Sequence, residues 1–253
     1  MSSIKERTAL LLSEDGLEKL KNSTVLVCGT GGVGSFAVEA LARTGVGRLI
    51  LIDKDTVEVS NINRQLPARL DTVGQAKVDV LKDHIQHLNP QTEVIAIRVF
   101  YDQNMNDHIR KLKPVFILDC IDSIGSKKDL IRFAVEQKIP VIASMGMARK
   151  KDPSQIEVCE IEKTSYDPIA KELRNWKRKN RISEKIMVVS SKEPPVKMEK
   201  GSVLPSAIFV PASAGLLMAD YAVKKLMEEG SAPQKDSESG KPENPEKAGQ
   251  SGQ

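Results

Sequence analysis

The residues of this chain best suited to chemistry lie between positions 29 and 122, in short polar groups separated by apolar segments. The first group is the glycine turn Gly29-Thr-Gly-Gly-Val-Gly34. The later groups supply Asp53, Asp55, Asn61, Asn63, Arg64, Gln65, Lys77 and Asp122. Carboxylates are ligands for magnesium, and fixed cations neutralise phosphate oxygens. These charges favour a magnesium-bound triphosphate, with ATP first, over a nicotinamide dinucleotide.

The glycine turn lies between a short apolar segment at 24–28 and a segment with helical apolar spacing at 33–44. This order predicts a strand, a turn and a helix. Backbone N–H groups of such a turn approach phosphate oxygens closely, and the helix N-terminus favours negative charge. We expect the glycines to contact the nucleotide; they are Gly29, Gly31, Gly32 and Gly34. A glycine turn can also serve only to pack a helix on a strand.

A second apolar segment, 48–52, ends in Asp53, where a carboxylate would meet the hydroxyl groups of a nucleotide ribose. Asp55 lies two positions later, and we expect it to remain available for metal or for supporting the other ligands. The alternative for Asp55 is a solvated loop carboxylate. The second strand strengthens the prediction of a nucleotide site.

A polar cluster favours ATP over NAD as the expected ligand. Asn61, Arg64 and Gln65 follow the second strand, and Lys77 lies in the next predicted helix. A dehydrogenase needs no such cluster, whereas adenylyl transfer builds charge on the α-phosphate and releases an anionic leaving group. Arg64 and Lys77 would stabilise that charge. Taken singly, each of the two could instead be an ordinary surface charge.

Together these motifs resemble the ubiquitin-activating adenylyltransferase superfamily. The matching segments are 29–34, 53–55, 60–65, 73–77 and 119–122. The resemblance implies that Asp53 binds ribose, that Asn61, Arg64 and Lys77 hold the phosphates, and that Asp122 helps to hold Mg²⁺. It also implies a homodimer in which Arg7 reaches the ATP of the neighbouring subunit. An exposed charge on a terminal helix is the alternative for Arg7.

The second half of the chain narrows the resemblance to the tRNA threonylcarbamoyladenosine dehydratases. The similar segments are 144–153, 163–168, 191–195 and 209–215, and the resemblance covers residues 4–228. It implies ATP-dependent cyclisation of a modified adenosine on the 3′ side of the anticodon, and it allows a sulfur-relay protein as a partner. Adenylation would activate the carboxylate of the modified base. The neighbouring carbamoyl group could then close the ring without a protein nucleophile.

The three cysteines argue against two features of relatives that activate ubiquitin-like sulfur carriers. Cys28, Cys120 and Cys159 form no Cys-x-x-Cys pair, so we expect no structural zinc, and residues 190–206 contain no cysteine to serve as a loop nucleophile. An adenylyltransferase for a carrier protein stays an alternative. A non-catalytic, nucleotide-dependent RNA-binding module is another, and a dehydrogenase is a more distant one.

Positive charge is concentrated at residues 171–185, where seven basic residues accompany two acids. Such charges displace counterions from a phosphate backbone, and an aromatic ring can stack on an unpaired base. We expect RNA contacts from Arg174, Trp176, Lys177, Arg178, Lys179 and Arg181. A solvated helix face with a packed tryptophan is the alternative. The whole-chain charge of +4 decides little.

The alternation of patterns predicts an α/β fold with a Rossmann-like, mostly parallel sheet flanked by helices. Strands are expected at 24–28, 48–52, 93–99, 115–119 and 140–143, and helices at 33–44, 74–88, 104–112 and 126–138. Later strands near 155–161, 186–190 and 207–210 predict an antiparallel C-terminal extension, followed by a helix at 211–226. Residues 1–228 are expected to form one adenylation domain, with a helical arm at 1–22.

The last segment, 229–253, is rich in Ser, Pro, Lys, Glu and Gly and is expected to be disordered. The sequence shows no signal peptide and no apolar stretch long enough to span a bilayer. We therefore expect a cytoplasmic protein without a membrane partner.

Overall fold

The computed structural model describes residues 4–199, 201 and 203–228. Seven strands form one sheet: β1 Thr24–Cys28, β2 Arg48–Ile52, β3 Glu93–Ile97, β4 Phe116–Asp119, β5 Val141–Ser144, β6 Ile156–Glu160 and β7 Met187–Ser191. The helices are α1 Glu6–Leu12, α2 Glu14–Lys21, α3 Gly34–Thr44, α4 Lys77–Leu88, α5 Asn106–Leu112, α6 Ile124–Gln137, α7 Pro168–Lys179 and α8 Phe209–Glu228. The element order confirms the predicted alternation of strands and helices.

The strand order across the sheet is β3-β2-β1-β4-β5-β7-β6. All neighbouring pairs are parallel except β6 and β7, which run antiparallel. The predicted Rossmann-like sheet and its antiparallel extension are therefore confirmed. The chain moves outward from β1 to β3 on one side and resumes with β4 on the other side. In sheets of this type, ligands bind beyond the carboxyl ends of the strands at this reversal.

The sheet is covered on both faces, as its apolar strands require. Val25, Val27 and Leu51 point toward the face covered by α3, α4 and α8. Leu26 and Ile50 point toward the opposite face, which α5 and α6 cover. Alternate residues of one strand thus enter different cores. This rigid double-sided support fixes the loops at the carboxyl ends of β1, β2 and β4.

Two predicted boundaries are corrected by the structure. The helix expected at 74–88 begins only at Lys77, because residues 74–76 are engaged in a turn in which Gly74 N–H donates to Val57 at 2.9 Å. The strand expected at 207–210 is wrong, because α8 already begins at Phe209. Pro211 lies in the first turn of α8, where a helix needs no backbone N–H donor. Proline was therefore a mark of the helix start, and the apolar residues before it belong to the same helix.

The helical arm at the N-terminus is present as α1 and α2, whereas residues 1–3 lie outside the described residues. The tail predicted to be disordered, 229–253, also lies outside them. Among the helices that the structure describes, none is long and apolar enough to cross a membrane.

Candidate nucleotide-binding site

The glycine turn after β1 and the turn after β4 meet at the carboxyl edge of the sheet. Gly29 has a φ of +87°, and a Cβ atom there would lie 2.6 Å from the backbone oxygen of Cys120. A Cβ atom at Gly34 would lie 1.8 Å from the backbone oxygen of Gly29. Only glycine allows both approaches. The first packs the glycine turn on the β4 turn, and the second closes the glycine turn onto the start of α3.

Asp53 connects the end of β2 to the glycine turn. Its Oδ2 atom accepts hydrogen bonds from the backbone N–H and the hydroxyl of Thr30, at 2.7 and 2.9 Å. Its Oδ1 atom accepts the backbone N–H of Asp55 at 2.9 Å. A carboxylate has about four acceptor positions, so Asp53 can orient the glycine turn and still accept a hydrogen bond from a ribose hydroxyl. Asp53 therefore lies beside the glycine turn, and its expected contact with a ribose hydroxyl stays a prediction.

Lys77 and Asp55 form an ion pair across the gap between α4 and the loop after β2. Lys77 Nζ lies 3.1 Å from Asp55 Oδ2, and the side chains are 7% and 50% exposed. Lys77 N–H also donates to the backbone oxygen of Asp55 at 3.1 Å. Asp55 therefore holds Lys77 through its ion pair while half of its own side chain is exposed, and the metal-binding or supporting role expected from sequence stays a prediction.

The polar cluster after β2 lies against the glycine turn. A Cβ atom at Gly31 would be 3.6 Å from Gln65 Nε2, and one at Gly32 would be 3.6 Å from Arg64 Cγ. Arg64 Nη1 donates to the backbone oxygen of Ser60 at 2.8 Å. These contacts bring Arg64 and Gln65 to the same turn as the glycines. The sequence alone does not show that these residues lie close to the glycines.

Two further amides of this segment have structural partners. Asn61 is buried and accepts the backbone N–H of Glu58 through Oδ1 at 3.2 Å. Asn63 Nδ2 donates to the backbone oxygen of Ser206 at 2.8 Å, which connects the cluster to the segment before α8. Gln65 Oε1 is buried and has no hydrogen-bond partner among the described residues. An unpaired buried amide oxygen beside a glycine turn is suited to a ligand that donates a hydrogen bond.

Two carboxylates, Asp119 at the end of β4 and Asp122 in the turn that follows, lie in different environments. Asp122 is exposed in the turn just before α6, where it can reach a ligand. Asp119 is fully buried, 3.0 Å from Nζ of the fully buried Lys127. Burial raises the pKa of Asp119, and the charge of Lys127 opposes that rise. Asp119 is therefore a structural carboxylate, and Asp122 is the one available to the site.

Lys127 was not identified from the sequence. A signal was present, because Lys127 shares a helical face with Leu130, Ile131 and Ala134, all fully buried. A lysine on the apolar face of a helix requires a buried partner. Asp119 is that partner, three residues ahead of the predicted Asp122.

The cysteines near this edge are unsuited to nucleophilic attack. Burial raises the pKa of the Cys28 and Cys120 thiols well above the usual range, and the negative charge of Asp119 adds to the rise. Cys159 is buried in β6, and its pKa is also raised by burial. Since the thiolate is the reactive form, these positions favour packing over catalysis.

The basic segment divides into bound and exposed cations. Arg174 donates to the backbone oxygens of Ile161 and Thr164, both at 3.3 Å, and Lys177 pairs with Glu162 with its side chain 12% exposed. Three cations are exposed at the end of α7, namely Arg178, Lys179 and Arg181, here called the basic turn. The basic turn is the part of the predicted RNA surface that is open to a phosphate backbone, and Arg178 makes there a surface hydrogen bond from Nη2 to Asn175 Oδ1 at 2.9 Å.

The expected role of Trp176 requires a correction. Its side chain is 7% exposed and packs in the cluster between α6, α7 and β7, with the Arg132 guanidinium 5.6 Å from the ring centre. A ring buried in this way offers no free face to an unpaired base. The single tryptophan therefore serves the core beneath the basic turn.

Arg7 lies on α1 and is exposed to solvent. It is distant in sequence from the polar cluster that follows β2. No residue of α1 is buried, and Leu10 and Leu11 are 87% and 83% exposed. Apolar side chains on an uncovered helix are typical of a surface that binds another protein.

Comparison with known proteins agrees with this architecture. The sequence matches the ThiF family over residues 5–242. It is 43% identical over 239 residues to the tRNA threonylcarbamoyladenosine dehydratase of Bacillus subtilis (strain 168), a match that covers 88% of this chain and 94% of that protein. It is 34% identical over 246 residues to the protein of the same name from Escherichia coli (strain K12), covering 87% and 92%.

A solved structure shows the same fold. The E. coli tRNA N6-threonylcarbamoyladenosine dehydratase in complex with ATP superposes with a TM-score of 0.83 at 35% identity, covering 89% of this chain and 94% of that chain.

Proposed function

This chain belongs to the ThiF family, and we propose that it catalyses the ATP-dependent dehydration and cyclisation of threonylcarbamoyladenosine in tRNA, on the 3′ side of the anticodon. The observation that supports this most is the carboxyl edge of the sheet. There the glycine turn meets Arg64 and the turn that carries Asp122, and Lys77 at the start of α4 pairs with Asp55 of the loop after β2. Relatives that carry this activity in their names match along almost the entire chain.

We assign the nucleotide contacts from this geometry. The N–H groups of Gly31 and Gly32 would face the phosphates, and Asp53 would accept a ribose hydroxyl. Arg64 and Lys77 would hold the phosphate oxygens, each by hydrogen bonds of charged groups that contribute about 1.5–3 kcal/mol. Asp55 would keep Lys77 in place, because it already pairs with that side chain at 3.1 Å.

The first step joins the threonyl carboxylate to the nucleotide. A carboxylate oxygen attacks the α-phosphorus of ATP, the bond to the β-phosphate breaks, and pyrophosphate leaves. Arg64 and Lys77 would stabilise the negative charge that accumulates on the oxygens of the α-phosphate and the leaving group. Arg64 lies against the glycine turn and Lys77 is held by Asp55, so little reorganisation of these two side chains would be needed during the step.

Magnesium fits the residues at this edge. Among the described residues, no group of three or more His, Cys, Asp and Glu side chains could hold a metal by itself. Mg²⁺ in nucleotide sites needs only one or two carboxylates besides the phosphates, and the exposed Asp122 supplies one. When bound, Mg²⁺ would neutralise phosphate charge, and Asp122 is the residue that we propose to hold it.

The second step closes the ring within the substrate. The carbamoyl group attacks the acyl carbon, the bond to AMP breaks, and the attacking group loses a proton, so the nucleoside loses the elements of water overall. Because both reacting groups belong to one nucleoside, the protein needs only to hold it in place and exclude water. This requirement agrees with the raised pKa values of the three cysteine thiols, since no protein nucleophile has to take part.

We propose that the basic turn contacts the tRNA phosphate backbone. Arg178, Lys179 and Arg181 are exposed at the end of α7, whereas the other predicted cations are committed to internal contacts. Neutralising several phosphates would make tRNA affinity depend strongly on salt.

We also propose a homodimer in the cytoplasm. The uncovered apolar residues of α1 support a second copy as the occupant of that face, and Arg7 on the same helix would then approach the partner's nucleotide. Both substrates, ATP and tRNA, are cytoplasmic molecules. A sulfur-relay protein would be an additional partner.

The function is tested by incubating the purified protein with ATP, Mg²⁺ and tRNA that contains threonylcarbamoyladenosine. We expect AMP, pyrophosphate and a nucleoside lighter by one water, as measured by chromatography and mass spectrometry of digested tRNA. Unmodified tRNA is the control. AMP formed only with a ubiquitin-like carrier protein would instead establish the carrier-activating alternative, and ATP binding without any AMP would favour the RNA-binding module.

A further inference from the structure

We propose that Lys127 is a positioning residue, whose ion pair with Asp119 fixes the turn that presents Asp122 to the nucleotide. The catalytic part of this inference rests on the proposed function, whereas the structural part does not. Lys127 lies on α6 and Asp119 ends β4, so the pair connects a helix to the strand beside the topological reversal of the sheet.

The pair lies in the interior. Both side chains are 0% exposed, and Lys127 Nζ is 3.0 Å from Asp119 Oδ2 and 3.4 Å from the backbone oxygen of Asp119. The other carboxylate oxygen accepts the backbone N–H of Ile121 at 3.1 Å. Asp119 Oδ2 accepts no aligned hydrogen bond from any described residue, so the nearby ammonium charge is what compensates it. One lysine therefore supports both the carboxylate and the carbonyl of the residue that begins the turn.

Stability alone does not account for such a pair. Moving two charges from water into an apolar interior costs desolvation free energy that an ion pair on the surface largely avoids. Well-packed apolar residues can often replace a buried pair without loss of stability. The surroundings here are apolar, with Ile117, Leu130 and Phe133 in neighbouring positions of β4 and α6. A fixed geometry for the turn is the property that the charges add.

The turn matters because it meets both parts of the candidate site. Asp122 follows Asp119 by three residues and is exposed at the edge of the sheet. Cys120 lies between them, and its backbone oxygen is in close contact with Gly29, where a Cβ atom would approach within 2.6 Å. A displacement of the turn would therefore move Asp122 and also press on the glycine turn.

The test compares Lys127→Met, which keeps the length of the side chain and removes its charge, with Lys127→Arg, which retains a cation. Ile131→Ala is the control, because Ile131 is fully buried on the same helix but packs in the cluster with Trp176 and Leu173. It should lower the unfolding temperature without disturbing the turn.

Two measurements follow. Amide hydrogen exchange of residues 119–123, without nucleotide, should be at least tenfold faster in Lys127→Met than in the wild type and unchanged in Ile131→Ala. The kcat for AMP formation should fall at least tenfold in Lys127→Met with KM for tRNA within threefold, and Lys127→Arg should recover most of it. Wild-type exchange in folded Lys127→Met would refute the claim that the ion pair fixes the turn, and wild-type kcat in the same variant would refute the positioning role in catalysis.

The double variant Asp119→Leu/Lys127→Met covers the case in which the single variant does not fold. We expect it to unfold at or above the wild-type temperature and to show the same loss of kcat, and a folded double variant with wild-type kcat would refute the positioning role. If the wild type forms no AMP with modified tRNA, the proposed function fails, and the exchange measurement still decides whether Lys127 fixes the turn.

Discussion

The contact between the glycine turn and the β4 turn can be tested by adding one methyl group. Gly29 and Gly74 both have a φ of +87°, but their surroundings differ. A Cβ atom at Gly29 would lie 2.6 Å from the backbone oxygen of Cys120, whereas one at Gly74 would meet no atom within 4 Å. Alanine at the two positions therefore shares the conformational cost and differs in the steric cost.

The two costs can be estimated separately. A left-handed conformation costs a residue other than glycine about 1–2 kcal/mol, and overpacking of a closely packed site typically adds about 1–3 kcal/mol. We expect Gly74→Ala to lower the free energy of unfolding by about 1–2 kcal/mol and Gly29→Ala by about 2–5 kcal/mol. The additional loss at Gly29 arises because a backbone oxygen cannot move aside as a flexible side chain would.

Urea unfolding of both variants measures these free energies, and AMP formation per folded molecule measures the consequence for the site. Gly29→Ala should raise KM for ATP, since relief of the clash displaces the glycine turn from the end of β4. Equal losses of stability in the two variants would refute the reasoning, because they would mean that the approach of Gly29 to Cys120 has no energetic importance.

Four other changes have defined outcomes. Asp122→Ala should abolish AMP formation and leave tRNA affinity within twofold, and unchanged turnover would remove Asp122 from the metal site. Reversing the three charges of the basic turn to glutamate should weaken tRNA binding and reduce its salt dependence without changing ATP affinity, whereas unchanged tRNA affinity would make the turn an ordinary solvated surface. Cys159→Ser should retain AMP formation and cyclisation, and loss of both in a folded variant would indicate a thiol mechanism. Burial lowers the pKa of Lys150 from its ordinary value of 10.5, although the charge of Asp167, 3.9 Å away, opposes this shift. Between the lowered pKa and 10.5 the unfolded chain therefore binds more protons than the folded chain does. The free energy of unfolding consequently rises with pH in that window. Lys150→Met should remove this rise in urea titrations from neutral to alkaline pH, and an identical pH profile would contradict the assignment.

Much of the fold followed from apolar periodicity. Strands β1 and β2 begin and end where the patterns at 24–28 and 48–52 predict, because continuous β-branched and aliphatic residues suit a strand buried on both faces. The strand predicted at 207–210 was wrong because the same kind of apolar pattern has a second interpretation. Short apolar runs are equally compatible with a buried helix, and only the packing of α8 against the sheet decided between the two.

The sequence suggested the residue types of the candidate site but not the contacts between them. Arg64 and Lys77 could be proposed because their positive charges suit a triphosphate, and Asp53 because a carboxylate after the second strand can accept a ribose hydroxyl. Their internal partners could not be chosen, because Thr30 and Asp55 reach Asp53 and Lys77 only when separate segments of the chain meet, and Ser60 accepts a hydrogen bond from Arg64 only once the turn at 60–64 has formed. The basic segment shows the same limit, because Trp176 and Lys177 are adjacent to exposed cations in sequence and yet face the protein.

What the sequence determined by itself was local: the order of strands and helices, the glycine turn that only residues without Cβ can form, and a set of charges suited to ATP. Only the tertiary structure decided which of these charged groups remain available to a ligand. Asp119 and Asp122 are three residues apart, but one is neutralised in the interior by Lys127 and the other is exposed at the edge of the sheet. The physical reason is that burial and pairing are set by residues distant along the chain, and these determine whether a charge stabilises the fold or acts on a ligand.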